Sequence, residues 1–535
     1  MKNRSLRILL TAGIFALLVN VIFYFSYPIN IGQSDNPTYL RMIVLGSSDL
    51  IHASGYSAIL YILTHRFLPP FSNPIYVPND TNNYWFNTLQ SFQLLLHLSL
   101  FSISIFLCAK VFSKTAAAVL AMGWGCNVLF VSNVNAAAPE WLEGHALILS
   151  LLMHAYARKL TPGKKVLVYC LAAGIFGLAY LIKPNSLLFA ISLFPFLLLD
   201  KESWRFKTLQ LSCSVVIFLL VTSAYANFYH FKSTGTRQLN FDHAWVLVDA
   251  LPLDYVSSSP EQLGVNSLRW SALSRVTPPE YFRAGGIENI SYGPSTDIRQ
   301  RYTEQLEYIF QMSRDELIQF VKANSLPSGY RQGSSAVPLY YYYGLEKIDA
   351  LGTGVYLESL RSDSWFHIQK MAGALATFFI NGLKTIQTFP TFADPIGFEF
   401  LPPDFSVSFL GRSRIVPPRD RDPYVLQYYN PRETVSFYGV KVIEVLNAFT
   451  SASVVYVALN IVALLGLFKL KSDLDKITAF SLLAALVSFI SASGILLGLR
   501  QKELIAITPV YFVLLSICIL SAGEWWVKTT NKLQR

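Results

Sequence analysis

Ten stretches of this chain are apolar over about the length needed to cross a lipid bilayer, and no other feature restricts its fold as strongly. About 20 helical residues traverse a hydrocarbon core. Segments near that length run roughly through 7–27, 88–109, 115–134, 139–157, 165–182, 184–200, 208–230, 447–468, 477–498 and 504–525. The sixth is short and contains Pro195. Only 14 % of the 535 residues are charged and 53 % are hydrophobic, whereas soluble domains carry about 25 % charge. So little charge would not cover a water-facing surface. The sequence therefore predicts an all-α polytopic membrane protein with about ten transmembrane helices.

Charge placement tests that count independently. With the N-terminus cytoplasmic, six segments fall inside: 1–7, 108–115, 158–165, 200–207, 469–476 and 527–535, which together hold 18 Lys and Arg in 48 residues. The short outer loops hold five: Arg41, Arg66, Lys183, Arg500 and Lys502. This is the asymmetry of the positive-inside rule, and it places both termini in the cytoplasm. The net charge of +10 thus reflects topology, and no nucleic-acid partner is expected. The first stretch follows Lys2, Arg4 and Arg7 and is too long for a signal-peptide core, so a retained helix is expected. The five cysteines all lie in apolar segments without metal-ligand spacing and read as small core hydrophobes.

The chain divides into an N-terminal transmembrane module (1–230) with a large first outer loop (28–87), a non-cytoplasmic lobe (231–446) and a C-terminal transmembrane module (447–535). The lobe carries 20 basic and 22 acidic residues, a balance suited to a folded, mixed but mainly helical body. Within it, Ser313 and Glu316 form a capping-box pattern ahead of Leu317 and Ile318, which predicts a helix start. The apolar run Met371 to Leu383 is too short to span and predicts an interfacial or buried helix.

Polar residues of chemical interest gather at the outer ends of the predicted spans. The first outer loop opens with Asp35, Asn36, Pro37 and Tyr39, followed by Gly55-Tyr56-Ser57 before an apolar run. Asp35 alone would read as a helix cap. The second outer turn has Pro139, Glu140, Trp141 and Glu143. Its two carboxylates share one helix face, placed either to suit a positive helix N-terminus or to bind a polar ligand or a metal. His145 reads as structural. Lys183 precedes Pro184, and Arg500 and Lys502 lie between the last two spans. These cations run against the positive-inside bias, so each is either a lipid anchor or a phosphate contact. The Arg412, Arg414, Arg419 and Arg421 group is partly neutralised by Asp420 and Asp422 and reads as solvated loop. Tyr340 to Tyr343 suits interface anchoring at least as well as stacking on a ligand.

A first helix, an early outer Asp, a Tyr four residues later and a Gly-Tyr element before a second apolar helix together resemble the GT-C superfamily of membrane glycosyltransferases. Protein O-mannosyltransferases and lipid A aminoarabinose transferases are the most similar members in pattern. The helix order agrees over nearly the whole chain; the motif agreement is confined to short stretches. The resemblance implies a transferase that moves sugar from a polyprenyl-phosphate carrier to an acceptor hydroxyl on the non-cytoplasmic face. It assigns Asp35 as catalytic base and Tyr39, Tyr56, Glu140, Glu143, Lys183, Arg500 and Lys502 as substrate-binding, with Arg500 foremost for the carrier phosphate. The chain has Ser57 where relatives often have Pro, and Asp35-Asn36 where some have paired acids. No metal or other cofactor is therefore expected, a divalent ion being the less favoured variant. The implied partners are the lipid-linked donor and membrane lipid; the acceptor class stays open, and a bacterial inner membrane is the expected location. The competing readings are a transporter or flippase, which would show repeated halves and broken helices, and an O-antigen-type polymerase or ligase, which would not need Asp35.

Overall fold

The computed structural model describes residues 2–26, 39, 42–43, 46–48, 53–67, 80–134, 138–198, 202–234, 237, 239, 247–248, 250–252, 255–278, 296–327, 330, 339, 343–381, 406–409, 412–415, 445–446, 453–497 and 501–533. Its first part comprises α1 (Lys2–Ser26), α2 (Gly55–Thr64), α3 (Asp80–Val111), α4 (Lys114–Gly125), α5 (Val128–Val134), α6 (Glu140–Ala157), α7 (Pro162–Ile182), a 3-10 helix (Pro184–Ser192), α8 (Leu193–Leu198), α9 (Trp204–Tyr225), a π-helical turn (Ala226–His230) and α10 (Phe231–Thr234). After these come α11 (Val265–Val276), α12 (Thr296–Gln311), α13 (Arg314–Ala323), α14 (Leu345–Ser362) and α15 (Ser364–Asn381). A two-stranded antiparallel pair follows, β1 (Ser406–Phe409) with β2 (Arg412–Ile415). The chain then forms α16 (Ser453–Leu467), α17 (Asp473–Leu497) and α18 (Gln501–Leu533).

Among the described residues, helix runs through part or all of each of the ten apolar stretches. Six helices are long and apolar enough to cross a membrane: Arg4–Tyr24, Thr88–Val111, Pro162–Ile182, Trp204–Thr234, Asp473–Ala492 and Leu504–Asn531. The chain is a helical, multi-pass integral membrane protein. Two stretches depart from the single straight helix that hydropathy suggests. The third breaks after Gly125, and Asn127 caps the new start by accepting from Phe130 N at 3.0 Å. The sixth begins as a nine-residue 3-10 helix before α8. At about 2.0 Å per residue this winding covers about 18 Å, against about 13.5 Å for an α-helix of that length. A stretch short in sequence therefore still reaches far.

Compactness divides the chain into two units: Met1–Leu239 with Ala376–Phe489 and Gln501–Arg535, and Asn240–Leu375 with Ile490–Arg500. In the first, α6 is buried along nearly its whole length and packs against α3, α7 and α18. α1 packs on α4, and α9 on α7. α9 is inverted relative to a helix in water. Its buried residues are Lys207, Gln210 and Thr222, while Leu209, Leu211, Val216, Leu219 and Leu220 are exposed. In water that outer face would be a large unpaid apolar surface; in lipid it is the solvated one.

The second unit has its own core, in which Trp270, Leu273, Leu317, Val321, Ile348 and Val355 are buried together. Glu358 of α14 covers the start of α11, accepting from Asn266 N and Ser267 N at 2.9 Å each and from Ser267 Oγ at 2.7 Å. The predicted capping box is present: Ser313 N donates to Glu316 Oε2 at 2.7 Å, and Glu316 N donates to Ser313 Oγ at 3.4 Å. Ser313→Ala is expected to weaken the first turn of α13 by about 1 kcal/mol. Hydrogen exchange of residues 314–318 should then quicken by about five-fold, and unchanged exchange would remove the cap from the account. The run beginning at Met371 is helical within α15.

Candidate functional site

The site is built from helix ends that proline locates. Pro184 disfavours a helical conformation in the residue before it, and Lys183 is extended at φ −153°, ψ 120°. α7 stops there, and the chain resumes as the 3-10 helix. Pro139 in turn precedes α6, and its carbonyl accepts from Glu143 N at 3.0 Å. Glu140 and Glu143 thus fall in the first turn of α6, where the free N–H groups and the helix dipole favour negative charge.

These two ends clasp each other. Lys183 Nζ donates to Glu140 Oε1 at 2.8 Å, and Ser186 Oγ donates to Glu143 Oε1 at 2.7 Å. Both carboxylates are buried, Glu140 at 4 % and Glu143 at 0 % exposure. Two acids inside a membrane protein are costly without such partners. The clasp supplies one cation and one hydroxyl from consecutive turns of one segment.

Tyr56 lies beside it. Gln93 of α3 donates from Nε2 to Tyr56 Oη at 3.0 Å and to the Val134 carbonyl at 3.2 Å. The Tyr56 ring meets Trp141 edge-on at 6.4 Å and Tyr39 edge-on at 5.9 Å. Ser57 Oγ donates to the Tyr39 carbonyl at 3.1 Å. Burial pushes the Tyr56 hydroxyl well above its ordinary pKa, and the Glu140 charge acts in the same direction. Tyr56 therefore stays protonated and serves as a neutral hydrogen-bonding group. Gly55 lets α2 approach this closely. A Cβ there would lie 2.5 Å from the carbonyl carbon and oxygen of Leu181, two residues before Lys183.

A second polar network joins Ser48 and Ser54 to the C-terminal end of α9 and the turn after it. Tyr225 Oη donates to Ser54 Oγ at 2.8 Å, Ser54 Oγ and Ser48 Oγ are 2.5 Å apart, and Ser48 Oγ lies 2.6 Å from His230 Nδ1. His230 closes the π-helical turn, a local distortion often found where a helix serves a function. Deeper in the bundle, His97 Nδ1 and His145 Nε2 are 2.7 Å apart, and both side chains are fully buried. Their rings lie among Trp124, Phe130 and Trp141.

Five of the residues singled out in the sequence are thus connected: Tyr39, Tyr56, Glu140, Glu143 and Lys183. Asp35 and Arg500 lie outside the described residues, as do Tyr340 to Tyr342, Arg419 and Arg421. Lys502 lies in α18, with its side chain outside them; the same holds for Arg412 and Arg414 in β2. Tyr343 is buried at 5 % exposure. Sequence reasoning missed Ser186, Gln93, Ser48, Ser54, Tyr225 and His230. Ser186 carried no usable signal, since the 3-10 winding that places it does not show in hydropathy. Among the described residues no three His, Cys, Asp or Glu side chains are grouped to hold a metal ion.

No protein-family model and no curated protein sequence matches the chain. Solved structures of two proteins are similar in course. One is the oligosaccharyltransferase AglB from Archaeoglobus fulgidus, in complex with an inhibitory peptide and a dolichol-phosphate. Its TM-score is 0.40 at 13 % identity, covering 96 % of this chain and 50 % of that one. The other is ArnT from Cupriavidus metallidurans bound to undecaprenyl phosphate, with a TM-score of 0.34 at 14 % identity, covering 95 % of this chain and 77 % of that one. The chain spans half the length of the oligosaccharyltransferase. Both likenesses are loose.

Proposed function

We propose that the chain is a membrane glycosyltransferase that moves a sugar from a polyprenyl-phosphate carrier to an acceptor hydroxyl on the non-cytoplasmic face, with Asp35 as catalytic base. The observation that supports it most is the buried Lys183–Glu140 pair with Tyr56 alongside, at helix ends that the charge pattern assigns to the outer face. Asp35 precedes Tyr39 by four residues. Four residues span at most about 14 Å, so the backbone of Asp35 is tethered close to the Tyr39–Tyr56 contact whatever path it takes.

In this reading the acceptor oxygen attacks the anomeric carbon while its proton passes to the Asp35 carboxylate. The bond from that carbon to the carrier phosphate breaks, and its electron pair leaves with the phosphate. The base needs a negative charge at neutral pH, which an ordinary aspartate has. The departing phosphate needs cations. The Lys183 ammonium donates to Glu140, so its first role is to hold that carboxylate in place. Arg500 and Lys502 are then assigned to the phosphate. Lys502 lies one helical turn before Ala506, whose carbonyl would be 3.0 Å from a Cβ placed on Gly144 of α6. The start of α18 is thereby held against the helix that carries Glu140 and Glu143. The two acids and Tyr39 and Tyr56 are assigned to the sugar or the acceptor.

Equilibrium binding of undecaprenyl phosphate to the purified chain tests the phosphate assignment. Arg500→Ala with Lys502→Ala removes two charge-assisted contacts, each worth about 1.5–3 kcal/mol. Affinity should fall at least about a hundred-fold. Unchanged affinity would remove both cations from the site.

A further inference from the structure

The 3-10 helix forms one wall of a space inside the helical bundle. Between it, α6, α7, α8 and α9 lies a cavity of about 250 Å³. Tyr169 and Phe176 of α7 line it, as do Gln210, Ser214 and Phe218 of α9. It lies along the middle of α7, and none of the residues that line it belongs to the transferase chemistry above.

Three features identify an occupant. Its lining is almost wholly apolar, and Leu187, Leu211 and Val215 at its edge are about half exposed on the outside of the helical bundle. A hydrocarbon chain enters from that side. Gln210 breaks the apolar lining: it is 4 % exposed, and among the described residues its Nε2 finds no acceptor. Such a buried amide donor is unfavourable unless something accepts from it. Finally, the near end of the cavity is cationic. Lys165 stands one turn before Tyr169 on α7 and Lys207 one turn before Gln210 on α9, with Glu202 paired to Lys165.

These features lie in line. Lys207, Gln210, Ser214 and Phe218 recur at three- and four-residue steps and share one face of α9. Lys165, Tyr169 and Phe176 do the same on α7. Lys207 stacks on Trp204 at 4.7 Å, and Lys165 bonds Glu202 at 3.1 Å, so both ammonium groups are held at this end. Passing inward along α9, a ligand meets a cation, one turn later an amide donor, and then hydrocarbon. We propose that this cleft binds an anionic glycerophospholipid of the surrounding bilayer. Its phosphate faces Lys165 and Lys207, an ester carbonyl accepts the Gln210 amide N–H, and one acyl chain fills the cavity. A polyprenyl chain fits less well, because it offers no acceptor one turn below its phosphate.

Photo-crosslinking in nanodiscs tests this, using phosphatidylglycerol with a diazirine in one acyl chain and the full-length wild-type chain. Label is expected on peptides covering Tyr169–Phe176 and Gln210–Phe218. Unlabelled phosphatidylglycerol should displace it, and equal amounts of phosphatidylcholine or undecaprenyl phosphate should not. Gln210→Leu and Lys207→Gln should each lower the label by about five-fold. The apolar groove lined by Ile8, Val119 and Phe512 should keep its label in these variants and so reports that they fold. Equal competition by phosphatidylcholine, or displacement by undecaprenyl phosphate, overturns the assignment. The wild-type competition decides the matter even if both variants misfold.

Discussion

Asp35→Asn is expected to lower sugar transfer by about 10²–10⁴-fold, the range that a positioned general base contributes. Asn keeps the shape of Asp and accepts no proton at neutral pH, so the acceptor hydroxyl would attack without losing its proton in step. Carrier affinity should stay within about two-fold, because phosphate binding is assigned to cations elsewhere. The thermal unfolding midpoint should not fall. Initial rates with a polyprenyl-phosphate sugar, together with carrier binding by the same preparation, separate these terms. A transporter would keep moving its substrate with Asn at this position, and an O-antigen-type polymerase or ligase would keep its activity. Transfer within about ten-fold of wild type would leave the chain without its proposed base.

Breaking the clasp should have the second largest effect, and it should appear in stability. Lys183→Ala leaves the Glu140 carboxylate without the ammonium 2.8 Å away, at a position where the two side chains are 15 % and 6 % exposed. Removing one partner of a buried pair typically costs about 3–5 kcal/mol, whereas replacing both with apolar residues of similar size is often neutral or stabilising. Lys183→Met combined with Glu140→Leu should therefore recover most of the unfolding temperature lost by Lys183→Ala. In the proposed function it should not recover transfer, since the Glu140 carboxylate is gone. A loss under about 1 kcal/mol in the single variant would mean that the pair behaves as a solvated one.

The sequence carried the helices more fully than their partners. Apolar length located all ten stretches because a bilayer imposes one length on every crossing element. The box at Ser313 and Glu316 was legible because it closes within four residues. The break at Asn127 and the 3-10 winding from Pro184 were not, since both preserve hydropathy and change only the backbone. Glu140 and Lys183 stood out singly as ionisable residues at outer helix ends. Their pairing was not legible, because 43 residues separate them and periodicity gives the face of a helix but not its neighbour. Gln93, Ser54 and His230 escaped notice for the same reason. Each is ordinary in its own segment and acquires meaning from a distant one, as in the 182 residues between Ser48 and His230.

The contact at Gly55 has a mechanical consequence. With no room for even one methyl group between it and the backbone of Leu181, the start of α2 and the end of α7 behave as a welded joint. The aromatic side chain following that glycine and the ammonium two positions beyond that leucine then share a single pivot. A displacement of α2 that moved one would drag the other and loosen the hold on Glu140.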